Sequence, residues 1–261
     1  MDLAHALSGF LVGLLVGLTG VGGGSLMAPI LILIFGVAPT TAIGTDLWFA
    51  GITKSVGGAV HHVKRSADLA VVARLAIGSV PAAIVTLIVL SAMRWSQVEH
   101  GWLPFALGFV LVATAVATIA RPALHRWVLA RQRRGSSIAP TSWQAPLTVA
   151  AGAVLGVLVT LTSIGAGALG ATMLVFLYPL RLSTREIVGT DIVHAVPLTI
   201  IAGIGHLLIG SVDGGLLLGR LIGSIPGIII GSLLVHKVSE KLVRIALSIV
   251  LVIAGAKLIA V

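Results

Sequence analysis

Gly17-Leu-Thr-Gly-Val-Gly-Gly-Gly-Ser-Leu-Met-Ala-Pro29, followed by Gly44-Thr45-Asp46, has a second edition in the same chain: Thr162-Ser-Ile-Gly-Ala-Gly-Ala-Leu-Gly170, followed by Gly189-Thr190-Asp191. From Gly20 against Gly165 to Ile84 against Ile229 the two copies align without a gap at an offset of 145. Apolar matches come cheaply in a sequence so rich in Gly, Ala, Leu and Val, so the polar identities decide. Four of the five aspartates pair at that offset, Asp46 with Asp191 and Asp68 with Asp213, together with Thr45/Thr190, His61/His206, Ser79/Ser224 and Pro81/Pro226. The pattern reads as a duplicated unit.

Hydrophobic residues make up 57% of the 261 residues and charged residues 10%, where soluble domains carry about 25% charged. Mean hydropathy is +1.14. Apolar segments recur over 3–19, 22–36, 42–60, 69–92 and 102–120, and again over 147–162, 165–180, 187–209, 214–235 and 242–260. Each is near the ~20 residues that cross a ~30 Å hydrocarbon core. The fold class expected is an all-α polytopic membrane protein with about 8–10 hydrophobic helical segments. The first segment follows Met1 to His5 without a basic n-region, so it reads as retained structure rather than a secretory signal. Zero cysteines exclude disulfides, thiolate metal sites and cysteine nucleophiles. The formal charge of +9 sits in loops between spans, so it speaks for topology and not for nucleic acid.

The only long polar connection is 121–146, which divides the chain into a first repeat, 1–120, and a second, 147–261. Arg121, Arg126, Arg131, Arg133 and Arg134 place that linker in the cytoplasm by the positive-inside rule. Counting spans outward, Lys64 and Arg65 fall inside, Arg94 with Glu99 outside, Arg181 and Arg185 inside, 211–213 outside, and Lys237, Lys241 and Arg244 inside. Both termini are then expected outside a cytoplasmic (inner) membrane. An odd number of crossings per repeat inverts the second copy relative to the first, as in many secondary transporters. Re-entrant first pairs of segments would reduce ten spans to six without changing that parity.

Gly20, Gly22, Gly23 and Gly24 would break a helix, since glycine costs about 1 kcal/mol relative to alanine in a helix interior. Broken backbone is tolerated at membrane depth only against protein or a wet cavity. There its amides and the following helix N-terminus suit an anion. Gly20 to Ser25 and Thr162 to Gly167, with Ser163 and Gly165, are therefore candidate substrate loops. Gly9, Gly13 and Gly17, spaced by four, read instead as a helix-packing stripe. No βαβ context makes the glycines a nucleotide fingerprint.

An aspartate at mid-bilayer costs at least ~2.5 kcal/mol and so marks a pathway or proton site. Asp46 and Asp191 are the proton-coupling candidates; the bland alternative is that Thr45/Asp46 and Thr190/Asp191 cap the helices that follow. Lys54 and His61 follow Asp46 by 8 and 15 positions, roughly 80° and 60° around a helix, and share its face. The second copy keeps His206, has Thr199 in place of Lys54, and adds His194 one turn from Asp191. Lys54 and His194 are read as buried basic groups near an anion; His61, His62 and His206 as interface or capping residues. Arg74 and Arg220 are expected to snorkel to the interface, Asp68 and Asp213 to cap helices, and Met27, Met93 and Met173 to pack.

Duplicated glycine-rich breaks followed by Gly-Thr-Asp resemble the TauE/SafE family of sulfite exporters and related anion permeases. The resemblance spans nearly the whole chain, on Gly17 to Pro29 with Ala42-Ile-Gly-Thr-Asp46 and, more loosely, on Gly165 to Gly170 with Val188-Gly-Thr-Asp191. It implies export of sulfite or a small organosulfonate. The residues alone point to a membrane transporter whose partners are a small anion and the lipid bilayer. No cofactor motif and no Walker motif is present. A passive anion channel is the runner-up. An intramembrane enzyme lacks a His-Glu-x-x-His or other metal or nucleophile constellation. The first loop is expected to supply more of the anion's backbone contacts, and Thr190, Asp191 and His194 its side-chain polarity.

Overall fold

A computed structural model describes residues 3–19, 24–60, 67–93, 102–133, 141–179, 181–234 and 239–260. Among these, ten α-helices follow one another: α1 (Leu3–Thr19), α2 (Gly24–Leu33), α3 (Pro39–Val60), α4 (Leu69–Ala92), α5 (Trp102–Arg133), α6 (Thr141–Thr162), α7 (Ala168–Leu177), α8 (Thr184–Leu208), α9 (Gly214–Leu234) and α10 (Glu240–Ile259). The protein is all-helical, as its composition requires, since a lipid-facing backbone must bond within its own segment. The helix starts are written locally. Asp68 accepts from the amides of Ala70 and Val71 at 3.0 and 3.1 Å, and Asp213 from Leu216 at 3.0 Å, so both are the N-caps expected. Ser183 and Glu186 form a reciprocal capping box on α8.

Among the described residues, six helices are long and apolar enough to cross a membrane: Leu69–Ala92, Trp102–Val128, Trp143–Thr162, Thr184–Leu208, Gly214–Gly231 and Lys241–Ile259. They are not the six that pairwise re-entrant segments would leave, because α6 is among them and α3 is not. The polar run Thr40, Thr45, Asp46, Thr53 and Lys54, all buried, lowers the hydropathy of α3 without bringing it to the surface. Two segment ends also differ from the sequence reading by more than three residues. α5 continues through Pro122 to Arg133, across the first half of the basic connection, and α6 begins at Thr141.

The helix contacts come in pairs related by exchanging the copies. α1 packs on α9 as α6 packs on α4, α9 touches α3 as α4 touches α8, and α2 lies against α3 and α10 as α7 lies against α8 and α5. The two remaining large contacts, α3 on α8 and α5 on α10, join a helix to its own counterpart. Both of these run antiparallel: Gly44 lies against Ser211 and His206, whereas Gly51, further along, lies against Thr199 and Ile200. Gly108 meets Gly255 and Ile259, while Gly255 also reaches Leu111 and Val112.

Glycine makes the largest contacts possible. A Cβ on Gly9 or Gly13 would strike the carbonyl of Arg220 or Ser224, and one on Gly152 or Gly156 that of Leu75 or Ser79. Arg220 and Ser224 stand 145 positions after Leu75 and Ser79, so the second contact repeats the first. The stripe of Gly9 and Gly13 is thus packing, as its spacing suggested. Around this interior, Leu11, Ile77, Ile88, Phe109, Val116, Leu218 and Ile253 point outward and are exposed, as a lipid-facing surface demands.

Replacing Gly13 or Gly156 by valine is expected to cost about 1–3 kcal/mol by overpacking, read as a lower unfolding midpoint of the detergent-purified protein. Gly214→Ala, where a methyl group meets open space, should stay within about 0.5 kcal/mol.

Candidate functional site

Gly-Thr-Asp lies at the same depth in α3 and α8, just over one turn from each start, so neither triplet caps its own helix. The threonines reach across instead. Thr45 Oγ1 accepts from the backbone amide of Asp213 at 3.1 Å, and Thr190 Oγ1 from that of Asp68 at 3.0 Å. Each Gly-Thr-Asp therefore ties its helix to the capped start of α9 or α4 in the other copy. The capping alternative is corrected: the threonine serves a helix start, but one distant in sequence.

Asp46, Lys54, Asp191 and His194 are brought together where α3 meets α8, and all four are buried. Lys54 lies within charge–charge reach of both carboxylates and donates from Nζ to the Ala166 carbonyl at 2.8 Å. The lysine of the first copy is thereby held by the glycine loop of the second. Asp46 faces the Ser163 side chain and the Ala28 amide and feels Lys54 and Arg220. Those contacts fall short of full hydrogen-bond geometry, since neither of its oxygens has a partner among the described residues. Asp191 faces the Gly167 amide and presses on Gly170 so closely that a Cβ there would collide with its Oδ1. His194 Nε2 pairs with Ser79 Oγ of α4 at 2.8 Å. Thr199, where a second lysine would stand, turns its hydroxyl back to the Ala195 carbonyl at 2.9 Å.

The second glycine loop has the irregular backbone its sequence suggested. Ser163, Gly165 and Gly167 take φ of +58°, +117° and +133°; the serine pays a steric penalty that glycine avoids. Thr162 secures this turn, donating to the Leu158 carbonyl at 2.6 Å and accepting from the Ile164 amide at 3.1 Å. Ser163 Oγ, by contrast, is buried without a hydrogen-bond partner among the described residues. Of the first loop, Gly20, Gly22 and Gly23 lie outside the described residues; Gly24 and Ser25 open α2. His61, His62, Lys64 and Arg65 also lie outside them. His206 is buried, with Nε2 against the Thr160 carbonyl at 2.9 Å.

One residue beside Asp46 escaped the sequence reading. Arg220 does not snorkel: it is 0% exposed, with its guanidinium 4.6 Å over the Phe35 ring. Arg74, one position out of register with it in the other copy, is half-buried and donates to the Tyr178 hydroxyl at 3.2 Å, which also pairs with Thr148 at 2.7 Å. A usable signal existed in the aromatic residue just after each short helix, Phe35 after α2 and Tyr178 after α7.

The family model for the sulfite exporter TauE/SafE matches residues 5–258. The chain belongs to the TauE/SafE family. It is similar to the probable membrane transporter protein YjnA of Bacillus subtilis (strain 168), 38% identical over 267 residues that cover 99% of this chain and 100% of that protein. It also resembles the probable membrane transporter protein YdhB of the same organism, 26% identical over 254 residues covering 96% and 97%. No solved structure matches it. With six candidate spans, it is a multi-pass membrane transporter of this family.

Thr45→Val or Thr190→Val leaves the Asp213 or Asp68 amide without its acceptor, and each is expected to lower stability by about 1–3 kcal/mol. Serine at either position should restore most of it in the same thermal-unfolding measurement.

Proposed function

We propose that this TauE/SafE transporter carries sulfite or a small organosulfonate out across the cytoplasmic membrane, in exchange with or together with protons at Asp46 and Asp191. The observation that carries this reading is the buried row Asp46, Lys54, Asp191 at the contact of α3 with α8. Buried charges persist when opposite charges lie near, and here one ammonium lies within charge–charge reach of two carboxylates while bonding neither among the described residues. When a carboxylate takes a proton, the charge of Lys54 is released toward an arriving anion. When the anion leaves, the carboxylate ionises again and re-engages Lys54. Substrate and carboxylate thus compete for one positive charge, so the anion binds together with a proton, which is a coupling mechanism.

Backbone amides around Gly20, Gly22, Gly23, Gly24, Gly165 and Gly167 and the hydroxyls of Ser25, Thr45, Thr162, Ser163 and Thr190 complete the proposed anion site, with His194 adding polarity from the second copy. Ser163 is the hydroxyl best placed, being unpartnered and beside Asp46; Thr45, Thr162 and Thr190 already accept backbone amides. The repeats 1–120 and 147–261 are proposed to be inverted about a two-fold axis in the membrane plane. The antiparallel packing of α3 on α8 and of α5 on α10 supports this, because an axis along the helices would leave counterparts parallel. The linker 121–146 is then cytoplasmic and both termini are outside.

Uptake of radiolabelled sulfite into proteoliposomes under an imposed pH gradient tests the proposal. The wild type is expected to show gradient-stimulated uptake and counterflow. Lys54→Gln should lose at least roughly tenfold in sulfite affinity, and Asp46→Asn should lose the stimulation. Full transport by Asp46→Asn with unchanged pH-gradient dependence sinks the proton role, and conductance without counterflow identifies a channel instead.

A further inference from the structure

We infer that Arg220 is the oxyanion-selecting residue of this transporter, its guanidinium fork taking two oxygens of the substrate while Asp46 faces a third across a shared proton. The inference rests on the anion-transport reading above and adds to it a residue and a selection rule.

Arg220 is fully buried on α9, and its Nε, Nη1 and Nη2 have no hydrogen-bond partner among the described residues. Within charge–charge reach of it is Asp46, also fully buried, with neither carboxylate oxygen partnered among the described residues. The two groups are close enough for their charges to interact, yet neither bonds the other. A buried carboxylate and a buried guanidinium facing each other unpaired are an expensive arrangement if nothing ever bridges them. The other charged groups acting here are Lys54, which reaches Asp46 along α3, and Asp213, the cap of α9, which acts on Arg220.

Phe35 sharpens the point. Its ring takes one face of the guanidinium at 4.6 Å, a contact that stabilises the cation without using its in-plane N–H groups. The related arginine shows the alternative. Arg74 meets a tyrosine hydroxyl, and its Nη1 is bonded. One of these arginines is thus tied to a side chain, and the other has its fork open among the described residues.

An open fork has chemical preferences. A planar guanidinium makes two parallel bonds to a pair of oxygens on one centre, which sulfite, sulfonate or a carboxylate can supply and a spherical halide cannot. The carboxylate of Asp46 repels a second anion unless a proton lies between them. The site therefore takes an oxyanion together with one proton, shared between the Asp46 carboxylate and an anion oxygen.

The test is sulfite uptake into proteoliposomes, with chloride as competitor, by the wild type, Arg220→Lys, Arg220→Gln and Arg74→Lys. Arg220→Lys keeps the charge and loses the fork, so the sulfite KM should rise about tenfold and chloride should compete where it did not in the wild type. Arg220→Gln should lose sulfite transport further, and Arg74→Lys should keep KM within about twofold. Should Arg220→Gln not reconstitute, Arg220→Lys alone decides. Wild-type KM and chloride discrimination in Arg220→Lys, or an equal loss in Arg74→Lys, overturn the inference and leave sulfite transport standing. A wild type that moves no sulfite overturns both.

Discussion

Backbone against backbone is the contact on which this molecule depends. Inside a bilayer an apolar side chain gains little by leaving lipid for another apolar side chain, so close van der Waals approach must hold the helices together. Gly9 and Gly13 admit the carbonyls of Arg220 and Ser224, and Gly152 and Gly156 admit those of Leu75 and Ser79. In both cases the partners belong to different copies. Neither half can complete its interior alone, and each lends its fourth helix to the other's first.

That exchange fixes what lies at the centre. With α9 held on α1 and α4 on α6, α3 and α8 are left facing each other, and their polar faces cannot reach lipid or water. α8 is the most enclosed of the six candidate spans among the described residues, 61% of its apolar stretch being buried against 33–44% for the others. The cross-copy bonds from Thr45 to the Asp213 amide and from Thr190 to the Asp68 amide register the central pair against the exchanged helices. Any rearrangement that preserves the glycine contacts moves α1 with α9 and α4 with α6.

Much of this was legible in the sequence, for identifiable reasons. Helix positions followed from apolar runs, because every span must hide its backbone; the caps Asp68 and Asp213 and the stripe of Gly9 and Gly13 followed from local rules of spacing. The pairing at offset 145 pointed to Thr45/Thr190 and Asp68/Asp213, but as separate features. That the first set bonds the second is a tertiary fact, invisible to any rule that looks only along one helix. Arg220 was misread for a similar reason. Its distance from the helix start allowed snorkelling, and only the packing of Phe35 and the close approach of α1 close that route.

The asymmetry of the copies follows from the same geometry. A perfectly repeated site would place a lysine at Thr199 as well as at Lys54, and two ammonium groups would then crowd the contact of α3 with α8. One lysine between two aspartates leaves the buried row with no surplus of cation, and the Thr199 hydroxyl closes on its own helix at Ala195. Arg74 and Arg220 also differ in their surroundings: a tyrosine hydroxyl bonds the first, whereas the plain ring of Phe35 covers the second. Corresponding positions of the two copies thus carry different residues, and the contact of α3 with α8 is polar unequally, with Asp46 and Lys54 from the first copy and Asp191 and His194 from the second.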